Sequence, residues 1–251
     1  MTRTPLIAGN WKMNTTIAEA EQLALAVVRS SADIVDRQVM IAPPFTALAE
    51  VADILHDSEV ILASQNICWA EKGAFTGEIS PPMLKDLGGT MSIVGHSERR
   101  HVFGESDALI NQRLTGAIEH GLIPILCIGE KLEEREAGKT MEIIETQVRE
   151  GLVGVSVSDP NEIVIAYEPV WAIGTGKTAS VDQAQEVHAF LRKLLTGLYE
   201  KNIACQIRIL YGGSVNPDNV DALMAQEDVD GALVGGAALD AASFDRIINF
   251  Q

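Results

Sequence analysis

The sequence is short of cysteine, of aromatic residues and of positive charge. Its 251 residues include three cysteines, Cys68, Cys127 and Cys205, odd in number and far apart. They make neither a disulfide framework nor a metal motif such as C-x-x-C. No run of about eighteen apolar residues is present to span a bilayer. Met1-Thr2-Arg3-Thr4-Pro5 lacks the apolar core of a secretion signal, so the Asn14-Thr15-Thr16 sequon reads as chance. Lys and Arg number 19 against 35 Asp and Glu, a formal charge of −16. Such a surface repels phosphodiester backbones and anionic lipid. These absences predict a soluble protein of a reducing cytoplasm, with no nucleic-acid and no membrane partner. A small phosphorylated molecule is not excluded, because a local nest of N–H groups can oppose the global field.

What is present is a repeating pattern. Short apolar, β-branched runs fall at residues 6–8, 39–42, 60–63, 91–94, 123–128, 163–167, 207–211 and 232–234. None alternates apolar with polar, as suits parallel strands buried on both faces. The stretches between them read as helices. Thr16-Ile17-Ala18-Glu19 and Ser180-Val181-Asp182-Gln183 are capping boxes. After the second, Ala184, Val187, His188, Leu191, Leu194, Leu195 and Leu198 keep the 3.6-residue period. Met141, Ile144, Val148 and Leu152 form a weaker stripe. Strands alternating with helices imply a parallel sheet, either an open doubly wound one or a barrel. Eight units in about 250 residues match the (β/α)8 barrel. No linker or composition shift marks a boundary, which predicts one domain over residues 1–251.

Barrel chemistry sits at the loops that leave the strands. Reading the polar residues after each run collects Asn10 and Lys12, then His96, Ser97 and Glu98, then Glu168. The seventh run ends in Gly212, Gly213 and Ser214, and the eighth in Gly235 and Gly236. Glu168 is either a base whose pKa burial raises toward neutrality or an acid paired with an arginine. His96 is either an active imidazole or a core histidine satisfied by the backbone. Lys12 either holds an anionic substrate or is a solvated loop residue. His188, inside a helical apolar stripe, reads as structural.

Gly174-Thr175-Gly176-Lys177-Thr178 imitates a nucleotide P-loop, but that motif needs glycine where Trp171 stands. Pro169, Val170, Trp171, Ala172, Ile173, Gly174, Thr175, Gly176 and Lys177 read instead as a stiff apolar centre between permissive ends. A hinged lid has that composition, and the apolar residues are costly to leave in water. The glycine pairs at 212–213 and 235–236 make either an anion site or merely tight turns.

Together, Gly9-Asn10-Trp11-Lys12-Met13-Asn14, Gly95-His96-Ser97-Glu98-Arg99-Arg100, residues 166–177, Tyr211-Gly212-Gly213-Ser214-Val215 and Leu233-Val234-Gly235-Gly236-Ala237 closely resemble the triosephosphate isomerase family. The similarity runs the whole chain, in register with all eight units, while Ile67-Cys68-Trp69-Ala70-Glu71-Lys72 looks idiosyncratic. The resemblance implies a TIM barrel that interconverts dihydroxyacetone phosphate and D-glyceraldehyde 3-phosphate without cofactor or metal. By that carry-over Glu168 is the base and His96 a neutral electrophile. Lys12 offsets charge, Asn10 orients oxygens, and Glu98 positions Lys12 or His96. Phosphate falls to the N–H groups of Gly174, Ser214, Gly235 and Gly236. A homodimer is also implied, made by the loop at residues 65–79, whose tip holds Phe75, Thr76, Gly77 and Glu78. Thr76 then reaches Asn10 and Glu98 of the second subunit. Two other functions remain open on this sequence: a Schiff-base aldolase using Lys12, and a barrel that binds sugar phosphates without turnover.

Overall fold

The computed structural model describes residues 3–173 and 178–251. The strands are β1 (Leu6–Asn10), β2 (Gln38–Ala42), β3 (Ile61–Ser64), β4 (Met91–Val94), β5 (Ile123–Ile128), β6 (Val164–Tyr167), β7 (Arg208–Tyr211) and β8 (Gly231–Val234). The helices are α1 (Ile17–Ser31), α2 (Leu48–Leu55), α3 (Pro81–Asp86), α4 (Ser97–His101), α5 (Asp107–Glu119), α6 (Leu132–Glu136), α7 (Thr140–Gly151), α8 (Val181–Leu198), α9 (Lys201–Ala204), α10 (Val220–Met224) and α11 (Ala241–Ile248). Every strand pairs in parallel with its sequence neighbour, and β1 pairs with β8 through Leu6↔Gly231 to Gly9↔Val234, closing the sheet. The architecture is therefore the (β/α)8 barrel and not the open sheet.

Closure explains why the runs are mostly apolar. Leu6, Ala8, Met40, Met91, Ile93, Ile125, Val164 and Leu210 point inward and fill the barrel. Their neighbours Ile7, Ile41, Leu126, Ile165 and Ile209 point outward into the layer shared with the helices. Both layers are mostly apolar, and a polar residue within them needs a partner, as Ser64 and Ser92 of β3 and β4 find in each other at 2.8 Å. The helices supply the opposing wall through Ala184, Val187 and Leu191 of α8 and Ile144 and Val148 of α7. Burial of each large aliphatic side chain contributes about 1.5–3 kcal/mol before entropy is counted.

Both capping boxes form. Glu19 accepts from the Thr16 N–H at 2.7 Å, and Gln183 and Ser180 exchange bonds of 2.9 and 3.1 Å. These caps fix where the chain leaves each loop and turns back down the barrel wall, so they set the loop geometry at the strand ends. Among the described residues no helix is long and apolar enough to cross a membrane.

Candidate active site

The strand-end loops enclose a recess of about 240 Å³. Asn10, Lys12, His96 and Glu168 all line it. Gly212, Gly213, Ser214, Gly235, Gly236 and Ile173 complete the lining, with Gly235 beside the Lys12 side chain and Gly212 beside that of Glu168. Of the residues named from sequence, Glu98 contacts Lys12 from outside the recess, and Gly174, Thr175, Gly176 and Lys177 lie outside the described residues.

His96 is held by the start of α4. Gly95, at φ 72°, reverses the chain as it leaves β4, and His96 becomes the N-cap. Its Nδ1 accepts from the Glu98 N–H at 3.2 Å. An accepting Nδ1 carries no proton, so this bond assigns the neutral tautomer with hydrogen on Nε2. That Nε2 faces Glu168 Oε1 at 3.0 Å. Arg100 fastens the corner from below, donating to Gly95 O at 2.8 Å and to Cys127 O at 3.0 Å.

Glu168 directly follows β6 and is 2% exposed. Its second oxygen accepts from the Ser97 N–H at 2.9 Å. Burial pushes the carboxyl up, but the His96 ring, the Ser97 N–H and the Lys12 ammonium together hold it below the usual carboxylate range. Of the two readings the sequence left open for Glu168, the raised pKa is thus corrected: the carboxyl is held low by its partners. The N–H donors of His96 and Ser97 were not visible in a strand-end rule, and they stabilise the anion.

The backbone around this carboxylate has no slack. A Cβ on Gly129 would lie 1.7 Å from Glu168 O, and one on Gly212 would lie 2.8 Å from Glu168 Cγ. Both glycines are there because another chain segment occupies the space a side chain would take. Cys127, the thiol nearest the site, is fully buried inside the barrel, and burial together with the Glu168 charge pushes its pKa well up. It is inert as a nucleophile at neutral pH.

Lys12 adopts φ 53°, a left-handed conformation that costs a side-chain-bearing residue about 1 kcal/mol or more. Two neighbours hold it there. Asn10 Oδ1 accepts from the Lys12 N–H at 3.0 Å, and Gln65 Nε2 donates to Lys12 O at 2.7 Å. Its Nζ pairs with Glu98 Oε1 at 2.8 Å. Schiff-base lysines are instead desolvated or set against another cation, so this environment suits charge stabilisation and not imine chemistry.

Glu130 was not found from sequence, where no local motif marks it. It is completely buried just beyond β5, and its Oε1 accepts from Trp171 Nε1 at 2.9 Å, Tyr167 Oη at 3.2 Å and Arg135 at 3.1 Å. The Val170 N–H adds a bond to Glu130 O at 3.1 Å. The apolar centre foreseen at 170–173 is thus a short 3-10 turn, Val170–Ala172, tethered to the β5 loop by backbone and indole, with Ala172 buried.

The loop after β3 carries Phe75 at 37% exposure, edge-on to Trp69 at 5.2 Å. Thr76 and Gly77 are exposed at the tip. Glu78 turns back onto its own chain in a bidentate pair with Arg113 at 2.8 Å. Among the described residues no cluster of three or more His, Cys, Asp or Glu is placed to hold a metal ion.

Known proteins are similar to this chain over nearly its whole length. The family described as triosephosphate isomerase matches residues 5–251. A relative named triosephosphate isomerase from Syntrophotalea carbinolica is 53% identical over 249 residues, covering 99% of each chain. Another of that name from Chloroflexus aurantiacus is 53% identical over 249 residues, covering 99% of this chain and all of its own. A third, from Moorella thermoacetica, is 52% identical over 99% of each. The chain belongs to the triosephosphate isomerase family.

Proposed function

We propose that this protein interconverts dihydroxyacetone phosphate and D-glyceraldehyde 3-phosphate by proton transfer through an enediolate, as a step of glycolysis and gluconeogenesis. The observation that carries the reading is the buried Glu168 carboxylate facing the donor Nε2 of a neutral His96 inside an anion-sized recess.

Glu168 takes a proton from the carbon beside the substrate carbonyl and returns it to the neighbouring carbon. To reach substrate it gives up the Ser97 N–H and the His96 ring. Loss of those donors raises its proton affinity as the transfer begins. His96 Nε2–H donates to the developing oxyanion. A neutral ring lies closer in proton affinity to an enediol than an imidazolium does, so it stabilises the intermediate without trapping it and can pass protons between the two oxygens. Lys12 opposes the negative charge of phosphate and enediolate, Asn10 fixes the Lys12 backbone and orients substrate oxygens, and Glu98 aims the Lys12 ammonium. The phosphate rests against the N–H groups of Ser214, Gly235 and Gly236, with Gly174 assigned by the family resemblance.

Water must be kept out. An enediolate beside a phosphate ester eliminates phosphate in solvent, and a dry site strengthens each electrostatic contact. The segment from Pro169 to Lys177 serves as the cover. A homodimer is supported by exposed Met13, Phe45, Phe75, Val102 and Phe103, which follow the four neighbouring strands β1 to β4 and so crowd one side of the barrel. The cytoplasm is the proposed location, consistent with three free thiols. A coupled assay of aldose–ketose interconversion on purified protein tests the reading: rapid turnover in both directions is expected, and binding without turnover would replace it with a sensor.

A further inference from the structure

The strand-start end of the barrel, opposite the catalytic recess, has a hollow of its own of about 250 Å³, lined by Arg3, Thr4, Gln38, Asn161, Gln206 and Arg208. Arg208 is the first residue of β7 and is 6% exposed. Its Nη1 donates to Gln38 Oε1 at 2.5 Å. Its Nε is buried without an acceptor, and among the described residues it forms no ion pair. Asp230 is the carboxylate whose charge reaches it, but that group is already shared by Arg3, Arg192 and the Ile209 N–H. Burial outweighs the pull of Asp230 and lowers the guanidinium below its ordinary value. A buried guanidinium that stays charged and lacks a counter-ion destabilises the chain, and an anion in the hollow beside it offsets that loss.

We propose that this hollow binds a phosphate oxyanion, either free or as the phosphoryl group of a small ester. The wall selects the chemistry. Gln38 has Oε1 committed to Arg208, which leaves its amide N–H groups to donate, and the Thr4 hydroxyl can join them. Gln206 and Asn161 each spend one amide N–H, on Asn202 O at 2.6 Å and on Asp159 Oδ1 at 2.9 Å, which leaves each with a second N–H to donate and a carbonyl oxygen to accept. A hydrogen phosphate accepts from the first group and donates its O–H to the second. A hydrogen phosphate can use the acceptors of this wall as well as its donors, whereas a carboxylate, with no O–H, uses the donors alone. The competing Asp159 carboxylate is occupied by the main-chain and side-chain N–H groups of Asn161. Arg208 and the rim glycines Gly212 and Gly213 bracket the same strand, so the two anion sites lie at its two ends.

Gln38→Glu separates the two sites. It gives Arg208 an internal carboxylate and places a negative charge in the hollow, while the catalytic recess is untouched. Equilibrium dialysis with labelled inorganic phosphate is expected to give two phosphates per chain for the wild type and one for Q38E, with unchanged kcat and KM. Displacement of the second phosphate by methyl phosphate at similar concentration assigns the site to phosphate esters as well; resistance to displacement restricts it to the free ion. Equal phosphate counts in wild type and Q38E would overturn the proposal.

Discussion

His96 and Glu168 meet through Nε2 and Oε1 at 3.0 Å, although they stand on separate strand ends, β4 and β6. Strand β5 lies between them in the barrel and supplies the supports for both. Cys127 O holds Arg100 beneath the histidine, and Gly129 packs against the glutamate backbone. The geometry of the pair therefore depends on groups that never touch substrate.

The glycines beside Glu168 should separate two kinds of damage. Gly212→Ala places a methyl 2.8 Å from the side chain of the base, while its nearest backbone atom, Tyr167 O, is 3.3 Å away and needs to yield by only a few tenths of an ångström. A displacement near 1 Å at a reacting group costs on the order of 100-fold in rate. We expect kcat to fall by roughly that factor with little change in melting temperature. Gly129→Ala strikes the Glu168 carbonyl at 1.7 Å, so the strand must move. Denaturant titration should show a loss of about 1–3 kcal/mol as well as lost activity.

His188 should make stability depend on pH. It is fully buried on α8, donates from Nδ1 toward Asp228 O at 3.1 Å, and burial lowers its pKa to about 4. Unfolded, it returns to about 6.5. Between those values the unfolded chain binds a proton that the folded chain does not, so stability falls as pH drops from about 6.5 to 4 and is level above. The loss approaches about 3 kcal/mol. Urea titrations of wild type and His188→Gln across that range measure it; a difference between the two that does not vary with pH would contradict it.

Glu130→Leu removes a carboxylate oxygen that accepts from the Trp171 indole, the Tyr167 hydroxyl and Arg135. With the cover less firmly tethered, water should reach the enediolate more often. The expected result is more inorganic phosphate released per isomerisation, with a changed Trp171 emission. An unchanged ratio of elimination to isomerisation would show that this tether does not govern solvent exclusion.

The strands were legible because each is buried on both faces, which writes a continuous apolar run such as Ile123–Ile128 into the chain. Closure was legible only through the number of runs. The pairing of Leu6 with Gly231 joins residues at opposite ends of the sequence and leaves no local mark. Asn10, Lys12, His96 and Glu168 could be found because strand ends point to one mouth. Gln65, Ser97 as a donor to Glu168, Gly129 and Glu130 could not be given their roles, since each acts through a partner distant in sequence. The same blindness reversed the expected pKa of Glu168, whose neighbours outweigh its burial.

Proton transfer by Glu168 is tested most directly by running the isomerisation of dihydroxyacetone phosphate in deuterated water with wild type and Glu168→Gln. In the wild type, deuterium is expected at the carbon that receives the proton. In the variant kcat is expected to be lower by about three orders of magnitude, with folding and phosphate binding retained. Turnover in the variant within about tenfold of wild type, a barrier change of only about 1.4 kcal/mol, would contradict it.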